Sequence, residues 1–125
     1  MSFCSLIYCV LFDFEKLEVY KKLRELNKSL LPIIFKFQSS YPYLADQLKR
    51  ASLSIQLNLA EGTGRMSSAD KKQFYIRARA STNECVSVLH SLIDLKIIEK
   101  AQFDLFYKNY EEISKMLLGL IRALK

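Results

Sequence analysis

The chain has 125 residues, half of them apolar, with three glycines and two prolines. That composition is too hydrophobic for a disordered chain and too poor in turn residues for an all-β sandwich, and the length suits one domain with a single core. The formal net charge of +6 admits acidic partners, nucleic acid among them, without naming one.

Residues 1–12, MSFCSLIYCVLF, read as an apolar N-terminal extension. The run resembles the core of a signal peptide, yet it lacks a positive start, and no small-x-small cleavage site precedes Asp13. It is also shorter than the about 20 apolar residues needed to span a bilayer. Three readings stay open: an extra packed segment, an extension from an upstream start codon, or a weak membrane-surface tether. The first two fit better, because helical periodicity begins only near Asp13, so no membrane partner is expected. Residues 13–125 are then expected to form a single domain.

Within that domain the spacing predicts four helices, an all-α antiparallel up-down-up-down four-helix bundle. The first runs from about Asp13 or Phe14 to Ser39, with Leu17, Tyr20, Leu23, Leu26 and Leu30 facing inward. Pro32 should kink or break it, since proline removes a backbone donor. After the turn SSYPY, the second runs from about Tyr43 to Glu61, and Gly62 supplies a C-cap that tolerates a left-handed backbone. The third starts after Ser67 or Ser68, where Ser67 and Asp70 are spaced like a variant capping box. Its seam is Phe74, Ala78, Ser81, Cys85, Val88, Leu92 and Leu95. The fourth, about Gln102 to Leu124, has the seam Phe106, Tyr110, Ile113, Leu117, Leu120 and Leu124. Seams of this kind suit helices crossing at shallow angles.

The second helix carries two stripes. Leu48, Ser52, Ile55 and Leu59 form an apolar one; Gln47, Arg50, Ser54, Asn58 and Glu61 form a polar one beside it. A helix that only covers a core has no use for an ordered polar row. Its directional bonds can fix register inside the bundle, by pinning the turn from Gly62 to Arg65, or between subunits. Both remain open.

Charge is concentrated further along. Residues 65–80 hold Arg65, Lys71, Lys72, Arg77 and Arg79 against Asp70 alone, whereas residues 81–125 balance at six of each sign. Interleaved with Phe74 and Tyr75, the basic side chains are candidate phosphate contacts, with an aromatic ring available to stack on a base. Lys49 and Arg50 are secondary candidates. The alternative is a solvated helix end that keeps the protein soluble.

Catalytic chemistry finds little support. Cys4, Cys9 and Cys85 have no metal-ligand spacing, and His90 is the sole histidine, expected on a helix flank. Neither a metal nor another cofactor is expected, and the thiols suit a reduced, cytoplasmic protein. Ser54 and Ser81 lack a neighbouring base, GTGR is too short for a phosphate loop, and the Glu-x-x-His pairs of di-iron bundles are missing. No catalytic residue is assigned.

The segments FEKLEVYKKLREL, QLKRASLSIQLNLAEGTGR and FYIRARASTNECVSVL resemble successive signatures of the 23S rRNA intervening-sequence protein family, also labelled S23 ribosomal protein. The resemblance covers about residues 14–124 and is most specific at Gln47, Arg50, Ala51, Ser54, Ile55, Asn58, Ala60, Glu61, Gly62, Gly64 and Arg65, with Ala78, Ser81 and Glu84 also fitting. Ala80 stands where the family usually has glycine, and Leu23 where a small residue is common. The resemblance implies a ring-like homo-oligomer, commonly a pentamer, of four-helix bundles without accepted catalytic residues. It also implies kinship with the accessory variability proteins of diversity-generating retroelements, which work beside a reverse transcriptase and its RNA template. The expected function is therefore a non-enzymatic homo-oligomer that binds RNA, DNA or a ribonucleoprotein. The alternative is a protein-interaction scaffold, for example for a reverse transcriptase, that does not touch nucleic acid.

Overall fold

A computed structural model describes residues 12–125; the expectations for residues 1–11 lie outside it. Four α-helices and one 3-10 turn make up its regular structure, and no strand occurs among the described residues. The turn covers Asp13–Lys16, followed by α1 (Glu18–Phe37), α2 (Pro42–Thr63), α3 (Ser68–Asp94) and α4 (Lys100–Ala123).

The apolar spacing explains what each helix buries. Along α1, Val19, Tyr20, Leu23, Leu26, Leu30, Ile34 and Phe37 recur at three- and four-residue intervals and all are buried. They meet Leu48, Ala51, Ile55 and Leu59 of α2, Tyr75, Ala78, Cys85, Leu89 and Leu92 of α3, and Phe106, Tyr110, Ile113 and Leu117 of α4 in one core. Fully burying each leucine or isoleucine contributes roughly 1.5–3 kcal/mol. Leu23, set against the small residue common at its position, is completely enclosed.

Side-chain pairs give the direction of each helix. Between α2 and α3, Thr63 meets Tyr75 while the earlier Ser54 meets the later Ser81. Between α1 and α2, Gln38 meets Lys49 and the earlier Asn27 meets the later Gln56. Between α3 and α4, Arg79 meets Ser114 and His90 meets Phe103. Consecutive helices are therefore antiparallel, and an ion pair from Lys22 to Glu112 links α1 to α4 across the bundle.

Several local expectations need correction. The first α-helix does not start at Asp13 or Phe14: a separate 3-10 turn comes first, and Leu17 in extended backbone divides the two. Pro32 does not break α1, because only its own donor is lost while Leu30, Ile34 and Phe37 hold the same face to the core on either side. Pro42 occupies the first turn of α2, where a missing backbone donor costs nothing. Ser67 caps α3, its Oγ accepting from the Asp70 backbone N–H at 3.1 Å, but the return bond of a capping box from Asp70 does not occur among the described residues. The fourth helix begins before Gln102, whose side chain reaches back to accept from the Glu99 backbone N–H at 2.9 Å. Leu95 lies just past the end of α3 and is half exposed. Ala80 faces solvent, so no close helix approach depends on it.

Gly62 is the most informative correction. It is not a left-handed cap: it lies buried inside α2, and no described glycine has positive φ. A Cβ at Gly62 would stand 2.9 Å from the Phe74 Cβ and 2.9 Å from the Tyr75 ring. The residue is small because α3 passes directly over it. The left-handed cap belongs instead to Lys96, at φ 61° after α3. Its N–H donates to Ile93 and that of Ile97 to Leu92, the paired bonds of a Schellman motif.

Candidate nucleic-acid interface

The corner between α2 and α3 is built outward from that close approach. With Gly62 beneath them, Phe74 and Tyr75 lie against the last turn of α2. The Thr63 hydroxyl donates to the Leu59 carbonyl at 2.8 Å and lies 3.3 Å from the Tyr75 hydroxyl. Lys71 then reaches back from the first turn of α3, its ammonium donating to the Thr63 carbonyl at 2.7 Å. A cation on an unpaired carbonyl at a helix C-terminus also meets the negative end of the helix dipole.

Two arginines occupy the outer side of this corner. The guanidinium carbon of Arg65 lies 4.5 Å from the centroid of Phe74, and that of Arg77 lies 4.9 Å from it. Arg65 is tied further by a 2.6 Å bond to the Glu61 carboxylate. Cation–π contact and an ion pair together restrict side chains that would otherwise sample many rotamers. The arrangement leaves Phe74 covered by guanidinium groups, and Tyr75 is buried. Neither ring is free to stack on a base, contrary to the sequence expectation.

The structure distributes the other candidate cations elsewhere. Lys72 is half buried on the first turn of α3 and makes no ion pair among the described residues. Arg79 turns toward α4, its Nε donating to the Ser114 carbonyl at 3.3 Å and hydroxyl at 3.2 Å. Lys49 binds Gln38 at 3.2 Å and Asp46 at 3.7 Å. It lies two turns into α2, about 20 Å along the helix from Thr63 at roughly 1.5 Å per residue. Arg50 is exposed in a groove on the outside of α2 with Leu53, Leu57, Asn58 and Glu61. Of the predicted cations, Arg65, Lys71 and Arg77 share one corner; Arg79, Lys49 and Arg50 do not.

Members of the polar stripe have different partners. Ser54 accepts from Ser81 across the α2–α3 seam at 2.9 Å, and Asn58 donates back to the Ser54 carbonyl at 2.8 Å. Glu61 holds Arg65, while Gln47 and Arg50 have no side-chain partner among the described residues. A second polar link escaped sequence reasoning. Gln56 donates to the Tyr20 hydroxyl and accepts from Asn27, both at 3.3 Å. The signal was Asn27 itself, a polar residue in phase with Leu23 and Leu30.

Cys85 is buried in the core, where burial pushes its thiol up to about 12, opposed by the neighbouring Tyr110 hydroxyl and reinforced by the charge of Glu84. Such a thiol is protonated, and hence a poor nucleophile, at neutral pH. His90 lies on a helix flank, its ring 5.1 Å from that of Phe103. No cluster of three His, Cys, Asp or Glu side chains suited to a metal occurs among the described residues. No described helix is long and apolar enough to cross a membrane.

None of the curated proteins matches this chain. The profile of a family described as 23S rRNA-intervening sequence protein matches residues 15–119, taking in the whole corner and both seams of α3. The chain belongs to the 23S rRNA-intervening sequence protein family.

Proposed function

We propose that this protein is a non-enzymatic homo-oligomer that contacts the nucleic-acid backbone through Arg65 and Arg77 at the α2–α3 corner. One observation carries the reading: two guanidinium groups ordered over a single ring, one of them also held by Glu61. Guanidinium planes stacked on an aromatic ring keep their N–H edges outward, and those edges match phosphate oxygens. With Phe74 covered, the corner engages phosphates rather than bases, so binding is insensitive to sequence. The family description mentions 23S rRNA, which supports RNA as the first acid to test.

Fluorescence anisotropy with labelled single-stranded RNAs of several sequences tests this. Affinities are expected to agree within a few-fold, and Arg65→Ala with Arg77→Ala should weaken all of them by about tenfold or more. Unchanged binding in the double variant overturns the assignment. For the oligomer, native mass of nuclease-treated protein should show a multimer; a monomer contradicts it.

The half-exposed Leu53 and Leu57, beside Arg50, Asn58 and Glu61, favour a second reading. Here α2 presents a protein-binding groove, and the assembly docks a partner such as a reverse transcriptase without touching nucleic acid. Capture of a partner from nuclease-treated lysate, together with no measurable RNA affinity, would favour this scaffold.

A further inference from the structure

The α3–α4 seam is not closed along its outer side. A cleft of about 320 Å³ opens there between Arg79, Asn83, Tyr107, Glu111, Ser114 and Lys115. That volume is at the lower end of the range for small-molecule sites, about 300–1,000 Å³. Grooves of similar volume occur on α2 and between α1 and α4, so size alone does not distinguish it. The side chains do.

Arg79 is the first distinguishing feature. It is partly buried and paired with no carboxylate among the described residues, although Glu111 lines the same cleft. Both of its hydrogen bonds leave from Nε, to the carbonyl and hydroxyl of Ser114, so its two terminal nitrogens are unused among the described residues. Holding a guanidinium by its Nε fixes the plane and presents the remaining fork, the arrangement that suits an oxyanion. Lys115, next along α4, adds a second cation that makes no ion pair among the described residues.

An aromatic ledge is the second feature. Tyr107 is 42% exposed and lines the cleft, with Phe103 stacked on one side at 5.7 Å and the His90 ring meeting it nearly perpendicularly at 6.3 Å. Asn83 contributes an amide that both donates and accepts, and Glu111 an acceptor for hydroxyl groups. One cleft thus offers an anion fork, a stacking ring, an amide and a hydroxyl acceptor.

We infer that this cleft binds a single nucleotide unit, with its phosphate on Arg79 and Lys115, its base on Tyr107, and its sugar hydroxyls toward Glu111. The site is separate from the Arg65–Arg77 corner and does not depend on it. A free nucleoside monophosphate and the phosphorylated end of a strand share this chemistry.

Titration of the full chain with adenosine 5′-monophosphate, followed by amide chemical shifts, distinguishes the possibilities. Saturable binding in the sub-millimolar range is expected, with shifts at Ser114 and Tyr107. Arg79→Ala should weaken it about tenfold or more, and Tyr107→Ala about fivefold or more. Arg79→Lys keeps the charge but loses the fork and should recover only part of the affinity, while Arg65→Ala with Arg77→Ala should leave it unchanged. A second arm uses a short RNA with and without a 5′ phosphate in that double variant. Binding only of the phosphorylated strand assigns the cleft to strand ends, and binding of the monophosphate shows that a free nucleotide suffices. If neither probe saturates, or if neither Arg79→Ala nor Tyr107→Ala weakens binding while both variants keep their thermal unfolding, the inference is overturned.

Discussion

The two long seams of α3 are packed by different means. Against α2, small residues of that helix lie at the contact: Gly62 under Phe74 and Tyr75, and Ser54 bonded to Ser81. Against α4, large rings meet: Tyr110 inside, Tyr107 and Phe103 outside, with a cleft left beside them. Small residues let backbones approach and leave little room between them, whereas rings hold helices apart and leave edges and charges to line the gap. The first seam fixes the corner that presents Arg65 and Arg77. The second leaves space for a ligand.

The largest effect expected on this contrast is alkaline. The thiol of Cys85 is raised from 9.0 to about 12, first by burial, and burial also raises the Tyr110 hydroxyl well above its ordinary value. A folded pKa above the unfolded one means that the stabilisation is complete below about pH 9 and is lost as pH rises toward 12. Three pH units of difference correspond to at most on the order of 4 kcal/mol. Urea melts between neutral pH and about pH 11 should show falling stability, and Cys85→Ala should flatten part of that fall. An equal fall in the variant would show that the thiol is not responsible.

Gly62→Ala tests the other seam. Its added methyl meets backbone-proximal atoms of Phe74 and a packed ring edge, so a loss of about 1–3 kcal/mol is expected from overpacking. Gly119 has open space where its Cβ would go, so Gly119→Ala should instead gain about 0.5–1 kcal/mol from helix propensity. Denaturant midpoints moving in the same direction for both variants would contradict the assigned difference.

Much of this contrast was legible in the sequence. The apolar spacing identified the four helices and most of the core, because one buried face per helix leaves a clear period. Gly62 reads as a left-handed C-cap, since a glycine after a helical run looks the same whether it frees φ or admits a neighbour. Lys96 gave no signal at all: its left-handed backbone is imposed by the Schellman bonds around it, not by its side chain. The basic cluster was legible as composition but not as geometry. Residues 77 and 79 lie two apart on a helix and therefore point to different neighbours, one over Phe74 and one into the α4 cleft.

A smaller effect sharpens the comparison at the far end of α3. Lys96→Gly removes the steric cost of a left-handed non-glycine residue and should raise stability by about 1 kcal/mol. It should leave RNA affinity unchanged, since the α3–α4 turn lies at the opposite end of α3 from the Arg65–Arg77 corner. Thermal melts and anisotropy on the same preparation check both parts.

The central claim, phosphate contact at the α2–α3 corner, is tested most directly by the salt dependence of RNA binding. The slope of log affinity against log salt should be clearly negative for the native chain. In the Arg65→Ala, Arg77→Ala variant it should become shallower by about 0.7 per lost contact on a single strand. A slope identical in the two proteins would contradict the account.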